Sequence, residues 1–154
     1  MKKQLKSFGH AFYGIYGALK TEAHLRFHLV AAVFVLIFAG ICGFSAERFA
    51  ILFVLIGAVL AFELVNTAIE HACNSVTRKY NAQIKLAKDL AAAAVLVMAA
   101  AAVAVAAVFF INAESWNALC SFFAKYPLAS VPLGLLATAS VLFVMLFGKG
   151  KKKV

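Results

Sequence analysis

Apolar residues run through most of this chain, and polar positions break the pattern at only a few places. Stretches 27–44, 49–67, 90–111 and 128–147 are long enough, or nearly so, to cross a hydrocarbon core of about 30 Å as helices. Ahead of them, residues 4–20 carry Leu5, Phe8, Phe12, Ile15, Tyr16 and Leu19 at helical spacing among lysines. That pattern predicts an amphipathic helix lying at a membrane interface. Gly9, Gly14 and Gly17 weaken this helix but admit a close neighbour or ligand. Residues 40–47 predict a short hairpin between the first two spans. Residues 112–127 predict a loop with a short helix near 116–123, where Trp116 and Tyr126 suit an interfacial belt. The third span is rich in alanine, which suits close helix packing in lipid. Pro132 falls near the start of the fourth span, where a helix tolerates it.

The segment 63–89, ELVNTAIEHACNSVTRKYNAQIKLAKD, departs most from this background. Glu63, Asn66, Thr67, Glu70, Asn74 and Thr77 recur at steps of three and four, so one helix face carries them all. Glu63 comes about 15 residues after Arg48, where the second span begins, at roughly 1.5 Å per residue. It therefore sits inside the bilayer but below one set of headgroups, while Glu70 reaches the interface. An ionisable group at that depth defaults to a functional role. The helix is expected to project to about Tyr80, with a turn near 81–83 opening the third helix.

Composition makes the lipid setting firm: 65% of residues are apolar and 14% charged, outside the range of soluble domains. At 154 residues the length is that of one domain. The net charge of +9 admits a nucleic-acid partner until its placement is considered. Lys2, Lys3, Lys6, Lys20 and Arg26 precede the first span. Arg78, Lys79, Lys85 and Lys88 lie between the second and third, and Lys149, Lys151, Lys152 and Lys153 follow the fourth. Only Arg48 and Lys125 occupy the other loops. This alternation places both termini and the 74–88 loop in the cytoplasm and argues against nucleic acid. Residues 1–20 have no apolar run suited to a cleavable signal. Cys42, Cys73 and Cys120 show no metal-binding spacing. Glu22 and Arg26 predict an interfacial ion pair of little weight, and His24 and His28 predict solvent or headgroup contacts. No internal repeat, P-loop, kinase glycine loop, GxSxG or HExxH motif occurs.

Of six acidic residues, Glu22, Glu63, Glu70 and Asp89 gather at the cytoplasmic boundary beside lysines. Carboxylates with phosphate oxygens suit Mg²⁺, and lysine offers a point charge to phosphate. A carboxylate just under the interface has raised proton affinity and could take a proton from a lipid hydroxyl. Spacing alone thus indicates metal-assisted chemistry on a headgroup, with phosphoryl transfer one candidate among several. A proton-coupled transporter, or a structural subunit pairing Glu63 with Lys88, are the competing classes. Transport predicts polar groups near the midplane and internal repeats; here the other spans have clean interiors.

At E-L-V-N-T-A-I-E (63–70) and K-D-L-A-A-A-A-V-L-V (88–97) the chain resembles the prokaryotic diacylglycerol kinase family. These are small integral-membrane lipid kinases that include undecaprenol kinases. H-A-F-Y-G-I (10–15) and E-A-H-L-R-F-H (22–28) fit the same family's N-terminal pattern, and the likeness covers about residues 4–112. It implies an all-α membrane bundle, a lipid kinase core over 1–112 with a loop, fourth span and basic tail added over 113–154. It also implies a homotrimer in a prokaryotic inner or plasma membrane, and ATP- and Mg²⁺-dependent phosphorylation of a lipid alcohol. By motif, Glu63 is the general base and Asn66 helps position it and the phosphate. Glu22 and Glu70 hold the metal and with it the nucleotide phosphates. Lys88 meets phosphate, Asp89 the nucleotide, and Gly14 borders the nucleotide. Asn74 stands where Asp is usual, Asn81 and His24 replace His and Asn, and Ala93 replaces a glycine. A catalytically reduced relative serving as a membrane partner is the alternative. The 22–28 and 91–97 stretches look closer to undecaprenol kinases, so undecaprenol is favoured over diacylglycerol.

Overall fold

The computed structural model describes residues 2–77 and 79–147, and among them every regular element is helical. The helices are α1 (Lys2–Thr21), α2 (Ala23–Ile41), α3 (Ala46–Val76), α4 (Ala82–Phe110), α5 (Ala113–Lys125) and α6 (Ser130–Leu146). A 3₁₀ turn, Pro127–Ala129, leads into α6. Four helices among the described residues are long and apolar enough to cross a membrane: α2, α3, α4 and α6 with its leading turn. The protein is therefore a multi-pass helical membrane protein. Arg78 and the basic tail beyond Phe147 lie outside the described residues. The α3 helix stops at Val76, a turn short of the expected Tyr80, and its last carbonyls are closed by Thr77 N–H donating to the Cys73 oxygen.

The α2–α3 turn is set by one residue. Gly43 has φ +66°, a left-handed conformation that costs other residues about 1–2 kcal/mol. Its N–H donates to the Gly40 oxygen, and the next N–H, of Phe44, donates back to Ala39. This closes the end of α2 as a Schellman motif. Phe44 then drops into a small core with Ala39 and Leu52, against Phe109 and Phe110 from the end of α4. Arg48 lies over the Phe44 and Phe109 rings, at 5.3 and 5.6 Å. Asn112 caps α5 by accepting from the Ser115 N–H, while buried Ser115 donates its hydroxyl to Phe109. One end of the bundle is thereby tied across α2, α3, α4 and α5.

The opposite end is tied by Arg26, which is only 5% exposed. The expected pairing with Glu22 is not what holds it. Its guanidinium donates to the Leu19 oxygen (2.8 Å) and Lys20 oxygen (3.3 Å) at the end of α1. It also donates twice to the Val144 oxygen in the last turn of α6, at 3.2 and 3.1 Å. Two helix C-termini, each carrying partial negative charge, thus stand in for a counter-ion. The physical reason for the correction is reach across the chain, since Val144 lies 118 residues away. This contact also sets α6 antiparallel to α2.

Little else in the chain is buried, and large apolar side chains are exposed along every helix. Phe8, Phe12, Tyr13 and Tyr16 stand free on α1, as an amphipathic interfacial helix requires. A Cβ built at Gly14 or Gly17 meets nothing within 4 Å, so within one subunit these glycines answer to no close neighbour. On α4 the alanines leave open surface, and only Val95 is buried.

Arg26→Leu is expected to destabilise the chain by about 1–3 kcal/mol in detergent unfolding, because buried donors and acceptors separate. A chain ending after Phe110 should show a smaller loss from the same substitution, since Val144 is gone. Equal losses in both backgrounds would show that the α6 contact contributes nothing.

Candidate active site

The polar stripe on α3 is graded by depth. Glu63 is 3% exposed and Thr67 8%, whereas Asn66 is half-buried and Glu70 lies open. Helical period alone puts these residues on one face; packing against α2 covers its first turns and leaves the last free. The buried carboxylate is met from α2. His28 Nε2 lies 3.2 Å from Glu63 Oε1, and the two side chains are 21% and 4% exposed. His28 therefore turns inward, not to solvent or headgroups as expected, because α2 and α3 pack with these positions opposed. His24, one turn earlier, is exposed.

An apolar groove of about 260 Å³ runs away from this pair between α2, α3 and α4. His28 forms its end, Val35, Leu52 and Val59 line its length, and Ala99 and Ala102 of α4 keep its wall low. The alanine-rich helix thus does more than pack. Its small side chains hold space open inside the apolar layer.

Two further clefts open at the Arg26 end. One, of about 820 Å³, lies at the α3–α4 turn and includes His71, Asn74, Lys79, Asn81, Lys85 and Lys88. Its polar residues are held by local chemistry. Asn81 caps α4, its side-chain oxygen accepting from the Gln83 and Ile84 N–H groups. Lys88 Nζ donates to the Asn74 oxygen at 2.6 Å. Lys88 is therefore paired with a neutral amide rather than with Glu63, and its charge stays uncancelled. The second cleft, about 620 Å³, separates α1 from α3 and brings Gly14 and Gly17 to Thr67, Ala68 and His71. His71 borders both clefts.

Sequence-predicted residues thus divide into three groups. Lys88 lies in the basic cleft and Gly14 in the α1–α3 cleft, one helical turn below. Glu63 lies deeper, at the head of the apolar groove. Glu22 is half-buried at the α1–α2 junction, where it precedes α2 without capping it, and Glu70 and Asp89 are exposed. Among the described residues the sole ion-pair contact is that between His28 and Glu63, so Glu22, Glu70 and Asp89 remain uncommitted. No group of three His, Cys, Asp or Glu gathers there to ligate a metal unaided. His71 was not singled out from sequence, and His28 was read there only as a solvent or headgroup residue. The one available signal for His28 was its position four residues after His24 on the turn that enters the span.

Comparison with known proteins accords with this arrangement. The family model for prokaryotic diacylglycerol kinase matches residues 9–110. An undecaprenol kinase of Bacillus subtilis is 44% identical over 101 residues, covering 63% of this chain and 79% of the relative. A diacylglycerol kinase of Synechocystis is 35% identical over 94 residues, covering 60% of this chain and 54% of that longer protein. No solved structure matches the chain. The matched segment takes in α2, α3 and α4 and ends before α5 and the fourth span. With a buried span carboxylate, a basic cleft further along the same helix and this match over most of its length, the chain belongs to the prokaryotic diacylglycerol kinase family of lipid kinases.

Proposed function

We propose that the protein transfers the γ-phosphoryl group of ATP to a membrane lipid alcohol, undecaprenol in preference to diacylglycerol, at the cytoplasmic interface. The observation that carries this reading is the buried Glu63 carboxylate on α3, whose partner His28 ends an apolar groove, while a basic, water-facing cleft opens from His71 onward along the same helix. A lipid hydroxyl approaches from the groove and a nucleotide from the cleft, so the two reactants meet at the stripe. Glu63 takes the hydroxyl proton as general base. The freed oxygen bonds to the γ-phosphorus as the bond to the ADP oxygen breaks. Asn66 orients the carboxylate and phosphate, Lys88 offsets phosphate charge, and Asp89 and Gly14 border the nucleotide. Such transfer rests on positioning and charge neutralisation, so a compact cluster on three helices suffices.

The donor set fits Mg²⁺. Glu22 and Glu70 make no ion pair among the described residues, and no group of three possible protein ligands gathers among those residues. Two carboxylates completed by phosphate oxygens and water is the pattern this ion prefers over an all-protein cage. When bound, it would neutralise phosphate charge and orient the γ-phosphoryl group. The greater identity to an undecaprenol kinase supports the lipid preference. The alternation of lysine and arginine supports cytoplasmic termini in a prokaryotic plasma membrane. The family resemblance supports a homotrimer, with residues 1–112 as the catalytic unit and the fourth span an addition.

Labelled phosphate from ATP should pass to undecaprenol in mixed micelles, and less readily to diacylglycerol. No transfer to either by folded protein would overturn the proposal. Glu63→Gln should lower turnover by about 10²–10⁴-fold, the usual contribution of a general base, with nucleotide binding retained; an active variant would remove Glu63 from that role. Glu70→Gln should instead weaken Mg²⁺-dependent nucleotide binding about tenfold or more, measured by titration calorimetry. Unchanged affinity would exclude it from the metal site.

A further inference from the structure

Glu63 has three rotatable side-chain bonds and sits where water does not compete for its oxygens. Left alone, such a carboxylate would populate several rotamers and turn toward whichever donor it found. Among the described residues one ion-pair contact reaches it: His28 Nε2, 3.2 Å from Oε1. His28 also forms the end of the apolar groove, so the residue that touches the carboxylate marks where a lipid headgroup would arrive.

We infer that His28 is a positioning residue for the base: its imidazole donates Nε2–H to Glu63 Oε1 and leaves Oε2 to face the substrate hydroxyl. The inference rests on Glu63 being the base, as proposed above. Two features of the pair support it. The contact is to one oxygen, so the other keeps its lone pairs for the incoming proton. The donor belongs to α2, whose two ends are fixed by Arg26 and by the Gly43 turn, so its position is set by packing and not by a mobile loop.

In the transfer step the substrate O–H bond breaks and its proton bonds to Oε2. The oxygen bonds to the γ-phosphorus, and the bond to the ADP oxygen breaks. His28 begins and ends with its own proton, which is why it positions and does not catalyse.

The test uses His28→Gln and His28→Met in the full chain. These side chains have nearly the same length and volume, but only glutamine offers an N–H. His28→Met should lower kcat on the order of 10–100-fold, with KM for MgATP within about twofold. His28→Gln should recover to within about fivefold of the parent. A methionine variant with parental kcat, or a glutamine variant equally slow, would overturn the inference. Imidazole ¹⁵N spectra provide an arm that needs no turnover: His28 Nε2 should carry a proton, and Glu63→Met should shift its signals. Signals that do not move would also overturn it. Parental turnover that Glu63→Gln abolishes and His28→Met leaves intact removes only this inference. A parent that phosphorylates neither lipid removes the proposed function, and the nitrogen spectra still judge the contact.

Discussion

A carboxylate inside an apolar helix pair has to be partnered, because hydrocarbon offers it nothing and exposure to water has been given up. Glu63 is in that position, and much of the molecule can be read as the means of keeping His28 beside it. The two residues come from consecutive helices, so their opposition depends on the register of α2 against α3. That register is set at the far end, where Gly43 turns the chain and Phe44 locks into the ends of α3 and α4. A slip of one residue there would rotate His28 by about 100° around α2, taking it off the carboxylate.

A second buried charge, on α2, is handled in another way. Arg26 has no carboxylate partner; it satisfies the last carbonyls of α1 and α6. Helix C-termini have carbonyls without intrahelical donors, so one guanidinium closes two deficits and offsets two dipoles at once. The consequence reaches beyond local stability. The fourth span, which lies outside the family-matched segment, is joined to the end of α1, and α1 walls the cleft that contains Gly14. This helix is thus connected through Arg26 to the wall of that cleft without contributing a polar side chain to it.

Between these two charges the helices create a gradient. The groove below His28 is apolar and walled by alanine, and the cleft beyond Asn74 is basic and open. Two neutral amides shape the open side. Asn81 is committed to capping α4, and Asn74 holds Lys88 without cancelling its charge. An aspartate at position 74 would neutralise that lysine, so the asparagine leaves the cleft more positive for an anionic ligand.

Much of this was legible along the chain, because lipid imposes its rules on local sequence. Span length, the asymmetry of lysine and arginine, the α-helical stripe from Glu63 to Thr77 and the family motifs are all one-dimensional patterns, and α2, α3, α4 and α6 formed close to where they predicted. What sequence could not reach were contacts between helices. Glu22 looked like the partner of Arg26 because four residues separate them, yet carbonyls of α1 and α6 hold it. His28 looked like a headgroup residue and became the neighbour of Glu63. Periodicity determines which side chains share a face of one helix. Which face meets which partner is decided by turns and packing, so only the tertiary structure could decide what stands beside the buried carboxylate.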